Sequence, residues 1–104
     1  MRCQNAGLSP GRIRFSKDPA GNWKLNGSRD ANGVLIREIT AGLASASGPA
    51  GGVDVLVCPP FVYLGDVVAA ASGSVLRIGA QDVAAEDSGA FTGEVAASML
   101  RDVG

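Results

Sequence analysis

At 104 residues the chain can build one modest hydrophobic core and has no room for two domains. Its 46% hydrophobic and 18% charged content suits an α/β protein, and 15 glycines imply many tight turns. A net charge of -1 gives no support for nucleic-acid or membrane-surface binding. With no His and only Cys3 and Cys58, far apart, a zinc site or disulfide framework is not expected. No apolar run is long enough to span a membrane, and no apolar signal region opens the chain, so a cytoplasmic protein is expected.

Residues 1–19 show neither helical nor strand periodicity. They hold Arg2, Arg12, Arg14 and Lys17 before any acid appears, and Pro10-Gly11 and Asp18-Pro19 are turn signals. This reads as an atypical, irregular leader ahead of a unit covering 20–104.

The stretch Ala20-Gly21-Asn22-Trp23-Lys24-Leu25-Asn26-Gly27-Ser28 comes next. If Asn22 to Lys24 is extended, Asn22 and Lys24 share one side and Trp23 faces the other. An amide beside a flexible cation suits a small anionic, oxygen-rich ligand. The competing reading is a strand end with a buried Trp and two solvated polar residues.

Asn26-Gly27-Ser28 is a turn running into a helix N-cap at Ser28. Arg29 to Ser47 lacks proline, and Leu35, Ile39, Leu43 and Ala46 recur at helical spacing. Gly48 to Gly52 stops that helix. Val53 to Cys58 is a β-branched apolar strand ended by Pro59-Pro60, with Cys58 a buried thiol. Phe61 to Ser72 is a second helix with Leu64, Val67, Val68 and Ala71 as its stripe, broken by Gly73. Val75 to Gln81 is a third strand. A polar loop, Asp82 to Gly93, leads to a helix from about Glu94 to Val103 with Val95, Met99 and Val103 as its stripe. Glu94 and Arg101 suit opposite ends of that helix's dipole.

Strands alternating with helices at this spacing specify βαβ units and a parallel sheet. Such sheets carry their ligand sites at the carboxyl ends of the strands. Asn22/Lys24, Pro59/Pro60 and Gln81/Asp82 therefore belong to one face. No GxGxxG or GxxxxGK[ST] follows a strand, so nucleotide binding has little support; a small phosphate-binding module using Lys24 and the helix start at Ser28 remains open.

The blocks AGNWKLNGS, VDVLVCPPFVYL and IGAQDVAAEDSGAFTGEVAASMLRDVG, in this order, closely resemble the amino-terminal part of the triosephosphate isomerase family, over Ala20 to Gly104. The resemblance implies a partial (β/α)8 TIM barrel of about the first three βα units; the complete barrel needs about 250 residues. It implies a cofactor-independent, metal-independent isomerase of glycolysis and gluconeogenesis that interconverts dihydroxyacetone phosphate and glyceraldehyde 3-phosphate. By the same resemblance Asn22, Trp23 and Lys24 make up the substrate-binding stretch, with Asn22 and Lys24 serving catalysis and Trp23 anchoring the strand end. Gln81 and the loop carrying Phe91, Thr92 and Gly93 would meet a second subunit, Thr92 approaching the partner's site. Glu94 would be a buried structural carboxylate. The family's acid–base chemistry, a well-known case of tuned proton transfer, uses a carboxylate and a neutral His. This chain has no His, so alone it is expected to be inactive. Ser16 to Pro19 stands where the family has an apolar first strand, and the incomplete barrel is expected to leave a strand edge unpaired.

Overall fold

The computed structural model describes residues 19–46 and 54–104. The leader apart from Pro19, with its Cys3, lies outside the described residues, as do Ser47, the Gly48–Gly52 stop and Val53. Three parallel strands, β1 (Ala20–Asn22), β2 (Leu56–Cys58) and β3 (Arg77–Ile78), form a sheet in the order β1-β2-β3. Helix α1 (Arg29–Ala46) follows β1, and α2 (Leu64–Ala71) follows β2 after a single 3-10 turn at Phe61–Tyr63. Helix α3 (Ala97–Asp102) closes the described chain. Together these are three βα units on a parallel sheet, as the element pattern predicts, and they match the partial TIM barrel that the resemblance implies.

The strands are shorter than predicted because their ladder is carried partly by flanking residues. Leu56 N–H donates to the Pro19 carbonyl at 3.1 Å, and Arg77 N–H to the Val55 carbonyl at 2.9 Å. Gly79 N–H extends the ladder to the Val57 carbonyl at 2.9 Å. A side chain at Gly79 would place its Cβ 3.2 Å from Cys58 Sγ and 3.3 Å from Leu56 Cδ1, so the sheet narrows there onto the buried Cys58 thiol. The outer edge of β3 pairs with no further strand among the described residues.

The core lies between the sheet and the two long helices. Ile36, Val57, Val67, Ala71 and Leu76 form its buried cluster, with Trp23, Ile39, Leu43, Val55, Tyr63 and Ile78 packed around it. The α2 stripe is as predicted: Leu64, Val67 and Ala71 are buried. The α1 stripe is so only at Ile39 and Leu43. Leu35 is 40% exposed while Ile36 is fully buried, so the inward face runs Asn32, Ile36, Ile39, Leu43. Leu35 and Ile36 both fit an apolar period; the direction of approach of α2 and the sheet selects one.

The last helix also differs from its sequence reading. It is six residues long, starting three residues after Glu94, and Met99 and Val103 are exposed. Ala96 and Leu100 face inward instead, the former buried and the latter half-buried. An apolar recess of about 150 Å³ lies beneath this helix, lined by Leu64, Val68, Ile78, Ala80 and Leu100 among others. Glu94 is exposed rather than buried: it lies ahead of the helix in the loop, and the burial at the junction falls to Val95 and Ala96 instead.

Candidate active site

The predicted residues do gather at the carboxyl ends of the strands, but the first strand ends earlier than expected. β1 stops at Asn22, and Lys24 adopts a left-handed backbone with φ 55°. Lys24 is therefore not extended, and strand alternation does not place it on the same side as Asn22. The physical cause is local: Asn22 Oδ1 accepts the Lys24 backbone N–H at 2.8 Å, an Asx-type turn that competes with the ladder. Trp23 still behaves as a strand-end anchor. Its backbone N–H donates to the Cys58 carbonyl at 3.1 Å and its half-buried indole packs on the core.

Beyond Lys24 the chain turns away from the sheet. Asn26 Nδ2 donates to the Trp23 carbonyl at 2.8 Å, closing the turn, and Leu25 at its tip is 97% exposed. Ser28 caps α1 as predicted, its Oγ accepting the Ala31 N–H at 3.2 Å. The cap is reciprocal: Asn32 Oδ1 accepts the Ser28 N–H at 3.3 Å. Asn32 is only 5% exposed, and its Nδ2 has no hydrogen-bond partner among the described residues.

Gln81, from the end of the third unit, reaches across the strand ends. Its Nε2 donates to the carbonyls of both Lys24 and Cys58, each at 2.9 Å. This ties the Asn22/Lys24, Cys58/Pro59 and Gln81 positions into one patch, the face predicted for a parallel sheet. The Lys24 side chain is exposed, and among the described residues no carboxylate pairs with its ammonium. The patch therefore offers one positive charge on a flexible stem, beside an amide whose oxygen is already committed. Asn22 can offer a ligand oxygen only its Nδ2. Such a pair suits an anionic, oxygen-rich small molecule. No group of residues able to hold a metal ion occurs among the described residues.

The loop carrying Phe91, Thr92 and Gly93 is exposed. Ala84 N–H closes its base on the Val95 carbonyl at 2.8 Å, and Glu94 N–H bonds the Phe91 carbonyl at 3.0 Å. The Phe91 ring folds over Gly89, where an added Cβ would come within 2.8 Å of it. Phe91 nevertheless stays half-exposed, and Thr92 and Gly93 are exposed.

Sequence reasoning misses two features of this region. Asn32 is one, although a polar residue four before Ile36 on the inward face is a usable signal once Ile36 is taken as buried. The bonds from Tyr63 and Gln81 to the turn are the other, and they carry no sequence signal at all.

Comparison with known proteins agrees with the geometry. The family model for triosephosphate isomerase matches residues 19–104. The triosephosphate isomerase of Dechloromonas aromatica (strain RCB) is 52% identical over 85 residues, which cover 82% of this chain and 32% of that protein. That of Stenotrophomonas maltophilia (strain R551-3) is 48% identical over 85 residues, with the same shares covered. Among solved structures, the triosephosphate isomerase of Bartonella henselae superposes with a TM-score of 0.71 at 30% identity, over 82% of this chain and 33% of that one. The chain thus spans about a third of the length of the relatives it matches. With the parallel three-strand sheet, the Asn22–Lys24 turn at its carboxyl end and a family match that begins where the sheet begins, this chain belongs to the triosephosphate isomerase family.

Proposed function

We propose that this chain supplies the anion-holding half of a triose-phosphate isomerase site, for the interconversion of dihydroxyacetone phosphate and glyceraldehyde 3-phosphate in the cytoplasmic reactions of glycolysis and gluconeogenesis. The observation that carries the reading is the turn at Asn22–Lys24. It presents an amide NH2 and an ammonium with no carboxylate partner among the described residues, at the carboxyl ends of parallel strands, in a chain of this family.

The chemistry asks for two things. A proton must leave one carbon and arrive at its neighbour, and the negative charge that builds on the substrate oxygens must be stabilised meanwhile. Lys24 serves the second need, its charge acting on the phosphate and on the enediolate oxygens. Asn22 adds a hydrogen bond through Nδ2, and Trp23 holds the strand end from which both project. The first need uses a neutral His in this family, and these 104 residues contain none. The loop with Phe91, Thr92 and Gly93 is the surface by which a homodimer would form, and an exposed aromatic is well suited to that, whereas Gln81, also expected there, turns its amide NH2 onto the Lys24 and Cys58 carbonyls. The reading calls for no cofactor, metal, nucleic acid or membrane.

The test is to join residues 19–104 to the remaining two-thirds of the Dechloromonas aromatica relative and assay triose-phosphate turnover beside the 104-residue chain alone. The joined protein should turn over and the chain alone should not. Lys24→Ala should lower turnover of the joined protein on the order of 10²- to 10³-fold, the usual loss of one group that stabilises developing charge. A folded joined protein without activity would refute the proposal. Saturable, salt-sensitive triose-phosphate binding by the 104 residues under that outcome would favour a small phosphate-binding module instead.

A further inference from the structure

We infer that Tyr63 and Gln81 are positioning residues that clasp the Lys24 turn from two later βα units; the inference rests on the role proposed for Lys24. A lysine at φ 55° occupies a region that side chains with a Cβ adopt only when their surroundings impose it. The imposing contacts are identifiable. At the entry, Gln81 spends its amide NH2 on two carbonyls, those of Lys24 and Cys58. The Cys58 carbonyl also accepts the Trp23 backbone N–H, so residues 23 and 24 are tied to the end of β2 from two directions.

At the exit, the Tyr63 hydroxyl donates to the Gly27 carbonyl at 3.3 Å. The tyrosine ring lies against the same residue: a Cβ on Gly27 would be 3.3 Å from Tyr63 Cε2. Between the two ends, Asn26 Nδ2 closes on the Trp23 carbonyl. The carbonyls of residues 23, 24 and 27 are thus each held by a side chain, two of them by residues 36 and 57 positions away in sequence. Only the Asn22–Lys24 N–H bond and the Asn26 bond are local, and neither fixes the direction of the Lys24 carbonyl. Rotating that peptide would swing the lysine stem, and with it the point its ammonium can reach. Positioning errors of about 1 Å at such a group cost on the order of 100-fold in rate.

Two measurements test this. On the isotopically labelled 104-residue chain, the Lys24 three-bond HN–Hα coupling and its Cα and Cβ shifts report φ. The parent should show the left-handed values. Gln81→Met, which keeps the bulk and removes both donors, should abolish them while the Val57 and Ile78 amides keep their shifts. In the joined protein, Gln81→Met should raise KM on the order of tenfold or more, and should add little further loss when Lys24 is already Ala. Tyr63→Phe, which removes one oxygen, carries the same expectations at smaller size and stands in should Gln81→Met fail to fold. Left-handed Lys24 values that survive both variants overturn the clasp, as does an undiminished loss in the Lys24→Ala background. An inactive joined protein would count against the isomerase reading alone, because the spectroscopic measurement does not depend on turnover.

Discussion

Replacing Gly27 by Ala places the sharpest strain on the turn that carries Lys24. Gly27 sits at φ 130°, where an L side chain costs about 1–3 kcal/mol. Space is short as well: the new Cβ would fall 2.7 Å from Asn32 Oδ1 and 3.3 Å from both Asn32 Nδ2 and Tyr63 Cε2. The Tyr63 ring is packed against the core, so the Asn32 amide has to give. Its movement breaks the bond to the Ser28 N–H, worth about 0.5–1.5 kcal/mol. Strain and lost bond together come to roughly 1.5–4.5 kcal/mol, a large share of the 5–15 kcal/mol typical of a domain. Urea unfolding of the parent and variant, followed by far-UV circular dichroism and Trp23 fluorescence, measures this directly. Adding Asn32→Ala removes the overlap but leaves the φ strain, so the double variant should recover about 1 kcal/mol relative to the sum of the single changes. A Gly27→Ala stability within about 0.5 kcal/mol of the parent, or strict additivity in the double variant, would refute the reasoning.

Two further outcomes follow from the packing. Ile36→Ala should cost about 2–5 kcal/mol by leaving a cavity at the centre of the core, whereas its half-exposed neighbour in Leu35→Ala should cost under about 1 kcal/mol; equal losses would show that α1 faces the core differently. The ion pair between Arg29 Nε and Asp66 Oδ2 is close, at 2.8 Å, but both side chains are largely exposed. Arg29→Ala should therefore change stability by no more than about 0.5 kcal/mol in the same unfolding assay, and that change should vanish in high salt.

Much of the architecture is legible because its signals are local. The Ser28 cap needs only a hydroxyl three residues ahead of a helical N–H, and Pro59-Pro60 and Gly73 end their elements by backbone chemistry alone. The α2 stripe has one apolar phase, so its buried face can be read directly. Helix α1 offers two adjacent large apolar residues, Leu35 and Ile36, and period alone cannot choose between them. Composition overstates the length of α3 because Glu94, Val95 and Ala96 suit a helix, yet the Val95 carbonyl is bonded to Ala84 across the loop and Ala96 is extended.

The candidate site divides the same way. Which residues carry charge and amide chemistry, that they lie after a strand and before a helix start, and that parallel strands bring Gln81 to the same face all follow from composition and spacing within short windows. The conformation of Lys24 does not. Strand propensity extends through Trp23-Lys24, but the Asn22 side chain takes the Lys24 N–H and Gln81, 57 residues on, takes its carbonyl. Hydrogen bonds between residues so far apart exist only once the sheet has formed. Local chemistry alone therefore puts an amide and an ammonium at the end of the first strand. Where that ammonium points depends on the assembled fold, because the backbone groups that aim it are held by other βα units.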